Sequence, residues 1–130
     1  MSDHERETEQ NRRIVEDFAR LFYAERDVPA AFAAHVAEDY IQHNPTITDG
    51  RQAAVDALTE KFATNGARFD VQRILVDGDF ALIHIKASFP GRPVAAVADI
   101  YRLEGGKVVE HWDVLQSMPD TPPQNAHPMF

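Results

Sequence analysis

The stretch ADIYRLEGGKVVEHWDVLQ, residues 98–116, sets Asp99, Tyr101, Glu110, His111 and Asp113 into two runs of strand-forming residues on either side of a glycine pair. A strand that buries one face alternates apolar with solvated polar residues. Titratable groups on both arms of one hairpin therefore either face water or face each other across a cavity. Facing each other, they have a chemistry. Two carboxylates opposite one another in a hairpin lie about 5 Å apart at their β-carbons, and in a partly dry pocket they cannot both ionise cheaply. A carboxylate held in this way can remove a proton from a carbon flanked by carbonyls, and the enolate can close on an internal carbonyl in an aldol step. Histidine or amide groups on the same face, here His84, His111, Gln42 and Asn44, would hydrogen-bond the oxygens involved. Such a step needs no metal and no cofactor.

Whether the two aspartates share a face depends on one residue. If Gly105 and Gly106 alone form the loop, Glu104 pairs with Lys107 and Asp99 falls opposite Trp112. If Lys107 joins the loop, Glu104 pairs with Val108, Tyr101 faces His111 and Asp99 faces Asp113. Because side chains alternate strictly along each strand, this choice decides the face on which Asp113 lies.

The elements that would carry these groups can be read from periodicity. Ile14, Phe18, Leu21 and Phe22 form one apolar stripe of a helix over residues 8–27. Pro29 opens a short alanine-rich second helix. DYIQHNP closes a short strand at its proline. Asp49 and Gln52 resemble a capping pair for a third helix that Asn65 and Gly66 stop. FDVQRILV, FALIHIKASF, VAAVADIYRL and VVEHWDVLQ then follow as a meander of strands separated by DGD, PGRP and EGGK turns. Helices followed by a run of antiparallel strands predict an α+β domain, a curved and mostly antiparallel sheet with helices on its concave face. The 130 residues make one domain, residues 1–130, with flexible or extended ends at 1–7 and 119–130.

Composition narrows the partners. With 21 acidic against 13 basic residues and a formal charge of −8, neither a nucleic-acid backbone nor an anionic membrane surface is a suitable partner. A small-molecule ligand is. The absence of cysteine rules out disulfides, thiolate metal sites and a cysteine nucleophile. No apolar run approaches the roughly 20 residues needed to span a bilayer, and the expected location is cytoplasmic.

Nearly the whole chain resembles the SnoaL-like polyketide cyclases of the nuclear-transport-factor-two-like cone fold, especially small members described as predicted aldol-condensation enzymes. The resemblance is carried by YIQHNP, by LIHIK where that family tends to have LHCH, by DIYRL with GGKVVEHWDVLQ, and by the terminal MF. It implies that Asp99 lies inside the cone as general base, that His84 on the preceding strand assists it, and that Asp113 shares the cavity and modulates it, which favours the three-residue loop. Gln42, Asn44, Tyr101, His111 and Phe18 would line the substrate. Lys86 would sit at the rim. Related ketosteroid isomerases keep an aspartate base where this chain has Asn44 and a helix-one tyrosine where it has Phe18, and the Arg–Asp pair of epoxide hydrolases has no counterpart in LIHIKAS. Both of those reactions are disfavoured. The implied function is a cofactor-independent enzyme acting on a small enolisable carbonyl compound. The alternative is a non-catalytic binding module of the same fold. Under the favoured register Trp112, Val114, Ile100 and Ala98 occupy the outer face, which predicts a homodimer through that face.

Overall fold

A computed structural model describes all 130 residues. The chain runs as helix α1 (Asp3–Ala19), a π-helical turn (Arg20–Ala24), α2 (Val28–His35), β1 (Val36–Gln42), α3 (Arg51–Phe62), and strands β2 (Arg68–Asp77), β3 (Phe80–Ser88), β4 (Ala95–Glu104) and β5 (Lys107–Ser117). The five strands form one open sheet in the order β1-β5-β4-β3-β2. All neighbours are antiparallel except β1, which lies parallel to β5 at the edge. The fold is therefore the expected α+β arrangement, with the helices on the concave side.

Helix α1 begins earlier than the apolar stripe predicts. Ser2 accepts a hydrogen bond from the Glu5 amide at 3.1 Å while Glu5 accepts one from the Ser2 amide at 3.0 Å. This reciprocal cap satisfies donors that a helix start otherwise leaves unpaired, so residues 3–7 are helical rather than extended. The same helix is tied to the β2–β3 turn, where the Asn11 amide donates to the Gly78 carbonyl at 2.9 Å and the Gly78 amide donates to the Thr8 hydroxyl at 2.9 Å.

At its other end the helix widens. The Glu25 amide donates to the Arg20 carbonyl, five residues back, at 2.9 Å. Such π turns insert one residue into a helix and are frequent at functional sites. Here the turn brings Phe22 and Tyr23, neighbours in sequence, into the interior together. Arg26 leaves the turn at φ +56°, a left-handed conformation unusual for a side chain with a Cβ. Its guanidinium donates to the carbonyls of Ala67 at 2.8 Å and Thr64 at 3.2 Å, which anchors the exit.

The core lies between the helices and the concave face. Val15, Phe18, Val28, Ala31, Val36, Ala54, Ile83 and Val108 are fully buried within it, each large side chain contributing about 1.5–3 kcal/mol of transfer free energy. Along β3 the inward residues are Ala81, Ile83, Ile85 and Ala87. The third helix is capped differently from the sequence reading. Its first flanking residue is Gly50, without a side-chain cap, and Asp49 instead accepts the Gln42 amide at 2.8 Å. That bond ties the loop to the end of β1. Residues 118–130 form no helix or strand. The final ring, Phe130, lies 5.2 Å beneath the Lys86 ammonium.

The β4–β5 hairpin resolves the register question in a way that neither loop alternative contains. Glu104 pairs with Lys107, so Gly105 and Gly106 alone form the turn, at φ +57° and +79°, and few residues other than glycine would tolerate both. Three residues further on, Arg102 pairs with Glu110 while Leu103 pairs with Val108. Val109 is thus a β-bulge. It advances β5 by one residue and places Tyr101 opposite His111 and Asp99 opposite Asp113. The register of the three-residue loop is reached with a two-residue loop, because the extra residue lies in the strand.

Candidate active site

Asp99, Tyr101, His111 and Asp113 point from the middle of β4 and β5 into a cavity of about 150 Å³ between the sheet and the helices. Gln42 and Asn44 reach it from the end of β1, and Phe22 and Tyr23 from the π turn. Asp99 is 8% exposed and His111 7%. The His111 ring lies between two tyrosines, 5.0 Å from the Tyr101 ring and 6.3 Å from that of Tyr40.

The hydrogen bonds fix most of the protons. The Asn44 backbone amide, which can only donate, points at Gln42 Oε1 at 3.0 Å. The same oxygen faces His111 Nδ1 at 2.7 Å. Nδ1 therefore carries a proton and donates it. The other ring nitrogen, Nε2, lies 2.8 Å from Asp99 Oδ1. A single further proton is shared there, either on the imidazole facing a carboxylate or on the carboxyl facing a neutral imidazole. Tyr23 donates to Asp99 Oδ2 at 2.6 Å, and its one proton is thereby spent, so the Tyr101 hydroxyl 2.6 Å away donates to Tyr23. The polar chain is directed from Tyr101 through Tyr23 to Asp99.

Asp113 is held otherwise. Thr46 donates its amide and hydroxyl to Asn44 Oδ1 at 3.0 and 2.7 Å, which orients the Asn44 amide so that Nδ2 donates to Asp113 Oδ2 at 2.8 Å. His111 Nε2 lies 4.0 Å from that oxygen, and the side chain is 26% exposed against 11% for Asp99. The second oxygen of Asp113 makes no hydrogen bond to the protein. Asp99, His111 and Asp113 could also offer a metal ion one atom each, all within 4.8 Å of one another. Both Asp99 oxygens, however, are already engaged by His111 and Tyr23.

Burial dominates the three tyrosines. It pushes the hydroxyls of Tyr23, Tyr40 and Tyr101 well above their ordinary 10.0, with the nearby Asp99 charge adding in the same direction. All three are neutral donors. Tyr40 lines the cavity with the Gln42 side chain beside its hydroxyl, opposing the upward shift, and no protein acceptor takes the hydroxyl proton.

Two residues expected at the site do not reach it. His84 is opposite Ala98 and Arg73, on the outer face, where Arg73 contacts its Nδ1. The reason lies in its own strand: Ile83 and Ile85 take the inward positions, so the alternation sends His84 and Lys86 outward. Phe18 is 0% exposed and packs edge-on against Tyr101 at 5.3 Å, in the core behind the cavity. The hydroxyl that reaches Asp99 from this part of the chain belongs to Tyr23, in the π turn.

The walls above the polar floor are aromatic. Phe22 stacks on Phe62 (4.5 Å, 12°), Phe62 on Phe69 (3.9 Å, 5°), and Phe69 meets Phe89 edge-on at 5.4 Å. No helix of the chain is long and apolar enough to cross a membrane.

A nuclear-transport-factor-two-like (NTF2-like) protein of unknown function from Mesorhizobium loti is 26% identical, with 85% of this chain and 93% of that one covered at a TM-score of 0.74. A proposed ketosteroid isomerase from Kribbella flavida (21% identity, 89% and 84% covered, TM-score 0.72) and a proposed polyketide cyclase from Acidithiobacillus ferrooxidans (18% identity, 82% and 87% covered, TM-score 0.64) share the fold. A search of curated proteins finds no match. The model of the SnoaL-like domain matches residues 15–111, three quarters of the sequence and every strand that carries the cavity floor up to His111, and the chain belongs to that family.

Proposed function

We propose that this protein is a cofactor-independent enzyme that removes a proton from a small enolisable carbonyl compound held in the cavity, leading to isomerisation or to an internal aldol closure. The observation that carries the reading is the free oxygen of Asp113. It has no protein donor, and it belongs to a carboxylate that Asn44 holds in place and that lines the cavity. A base has to come within hydrogen-bond reach of the proton it takes. Asp99 is less well disposed for that, since His111 and Tyr23 engage both of its oxygens. The geometry thus favours exchanging the roles implied by the resemblance: Asp113 takes the proton, and Asp99 holds His111 and the tyrosine chain.

In this scheme the substrate C–H bond breaks, its proton goes to Asp113 and the electron pair becomes an enolate. The neutral Tyr40 hydroxyl donates to the enolate oxygen. The proton then returns to a different carbon, or the enolate carbon attacks a second carbonyl whose oxygen takes the proton. Hydrogen–deuterium exchange of 1,3-dicarbonyl and polyketide-like ketones, followed by NMR, tests the scheme. Asp113→Asn should slow exchange by at least about a hundredfold. Full exchange in that variant, with loss in Asp99→Asn, would return the base to Asp99. Tight ligand binding without exchange in the parent would favour a binding module.

A further inference from the structure

The aromatic wall ends in charge. Phe89, its outermost ring, has Lys61 Nζ 5.7 Å and Arg92 Cζ 5.9 Å from its centroid. Lys61 borders the cavity, and apart from His111 it is the only basic side chain that does. Neither cation makes an ion pair, although acidic residues outnumber basic ones by eight and five arginines elsewhere are ion-paired with carboxylates. Two positive groups sharing one ring repel each other, and the ring face offsets only part of that. A chain with this net charge also repels anions in general. An anion at the Phe89 end of the cavity gains from Lys61 on the lining and from Arg92 beside the same ring.

At the inner end the same wall passes from Phe22 to Tyr23, with ring centroids 4.5 Å apart, and Tyr23 donates to Asp99. A continuous aromatic track therefore runs from the acid cluster at the floor to Phe89, which has two cations without ion pairs beside it, Lys61 on the cavity lining and Arg92 next to the same ring. We propose that the ligand is a flat, largely unsaturated carbonyl compound with an anionic terminus, oriented carbonyl inward and anion outward by Lys61 and Arg92. This deepens the proposed function by naming the substrate class, and it rests on the cavity being the substrate site.

The test uses para-acetoacetylbenzoate and its methyl ester, which share the ring and the 1,3-dicarbonyl and differ in charge. Calorimetric titration of the full chain should find the benzoate bound about three- to tenfold more tightly, the size expected from two solvent-touched cations, with the advantage shrinking as salt is raised. Lys61→Met combined with Arg92→Met, which keeps apolar stems, should abolish the difference, and Lys61→Arg should retain it. Equal affinity for acid and ester, a preference that survives the double substitution, or no binding of either probe at millimolar concentration would overturn the proposal. Binding is read without turnover. A charge preference in a protein that exchanges no deuterium would uphold the anion site and reject the enzyme.

Discussion

The chain has three tyrosines, and all three line the cavity with their hydroxyls buried. This makes alkaline unfolding a quantitative probe of the site. Burial holds Tyr23, Tyr40 and Tyr101 neutral well beyond their ordinary 10.0. In the unfolded chain they ionise near that value. The folded state therefore binds more protons above pH 10, and stability falls as pH rises. Each tyrosine whose folded value is raised favours unfolding by at most about 1.4 kcal/mol for each pH unit above 10, until the pH reaches its folded value. Three such groups together have a ceiling of about 4 kcal/mol per pH unit, against a typical domain stability of about 5–15 kcal/mol. Phenolate absorbance in the near ultraviolet should stay flat through pH 10 to 11, then rise in one cooperative step with loss of far-ultraviolet circular dichroism. Tyr23→Phe should reduce the protons released in that step from three to two. Gradual phenolate absorbance centred near pH 10, with circular dichroism intact, would refute the enclosed polar floor and with it the directed chain from Tyr101 to Asp99.

Two further outcomes follow from side-chain placement. His84→Ala should leave deuterium exchange within about twofold of the parent, because the imidazole is on the face away from the cavity; a hundredfold loss in exchange would return it to the mechanism. We also propose that two copies associate through the outer face, where Leu75, Phe80 and Val114 are 59%, 45% and 64% exposed around Trp112. Sedimentation should then show a dimer at micromolar concentration that Val114→Lys with Leu75→Lys converts to monomer, whereas a monomeric parent would remove the idea.

Much of the fold was legible because its signals are local. The apolar stripe of α1, the strands from Arg68 onward and the glycine turns follow from periodicity and turn chemistry, which depend on near neighbours. The features that aim the site are single-residue insertions. Val109 is a valine among strand residues, and nothing in its type distinguishes a paired valine from a bulged one. The π turn at Arg20–Ala24 has the composition of ordinary helix. Both shift the face on which later residues fall, so loop length leaves two registers open, and the resemblance that favours the Asp99–Asp113 pairing reaches it through a three-residue loop where the chain has a two-residue turn and a bulge. His84 is the opposite case. The alternation of Ile83 and Ile85 in LIHIK points it outward, against what the resemblance implies. Tyr23 and Tyr40 were missed because aromatic residues in a core need no functional explanation until their hydroxyls are located.

The π turn has a consequence for how such a site could arise. Removing one residue between Arg20 and Ala24 would restore regular α-helical bonding and rotate Tyr23 by about 100°, away from Asp99, while the capping box, the strand register and most of the core contacts of α1 stay in place. The Tyr23 contact to Asp99 thus depends on one inserted residue, whereas the carboxylates and His111 of the floor belong to β4 and β5. A lineage could lose or regain the tyrosine–carboxylate contact by a single-codon deletion or insertion without rebuilding the domain, so chains of this fold can differ sharply in pocket chemistry while their backbones superpose.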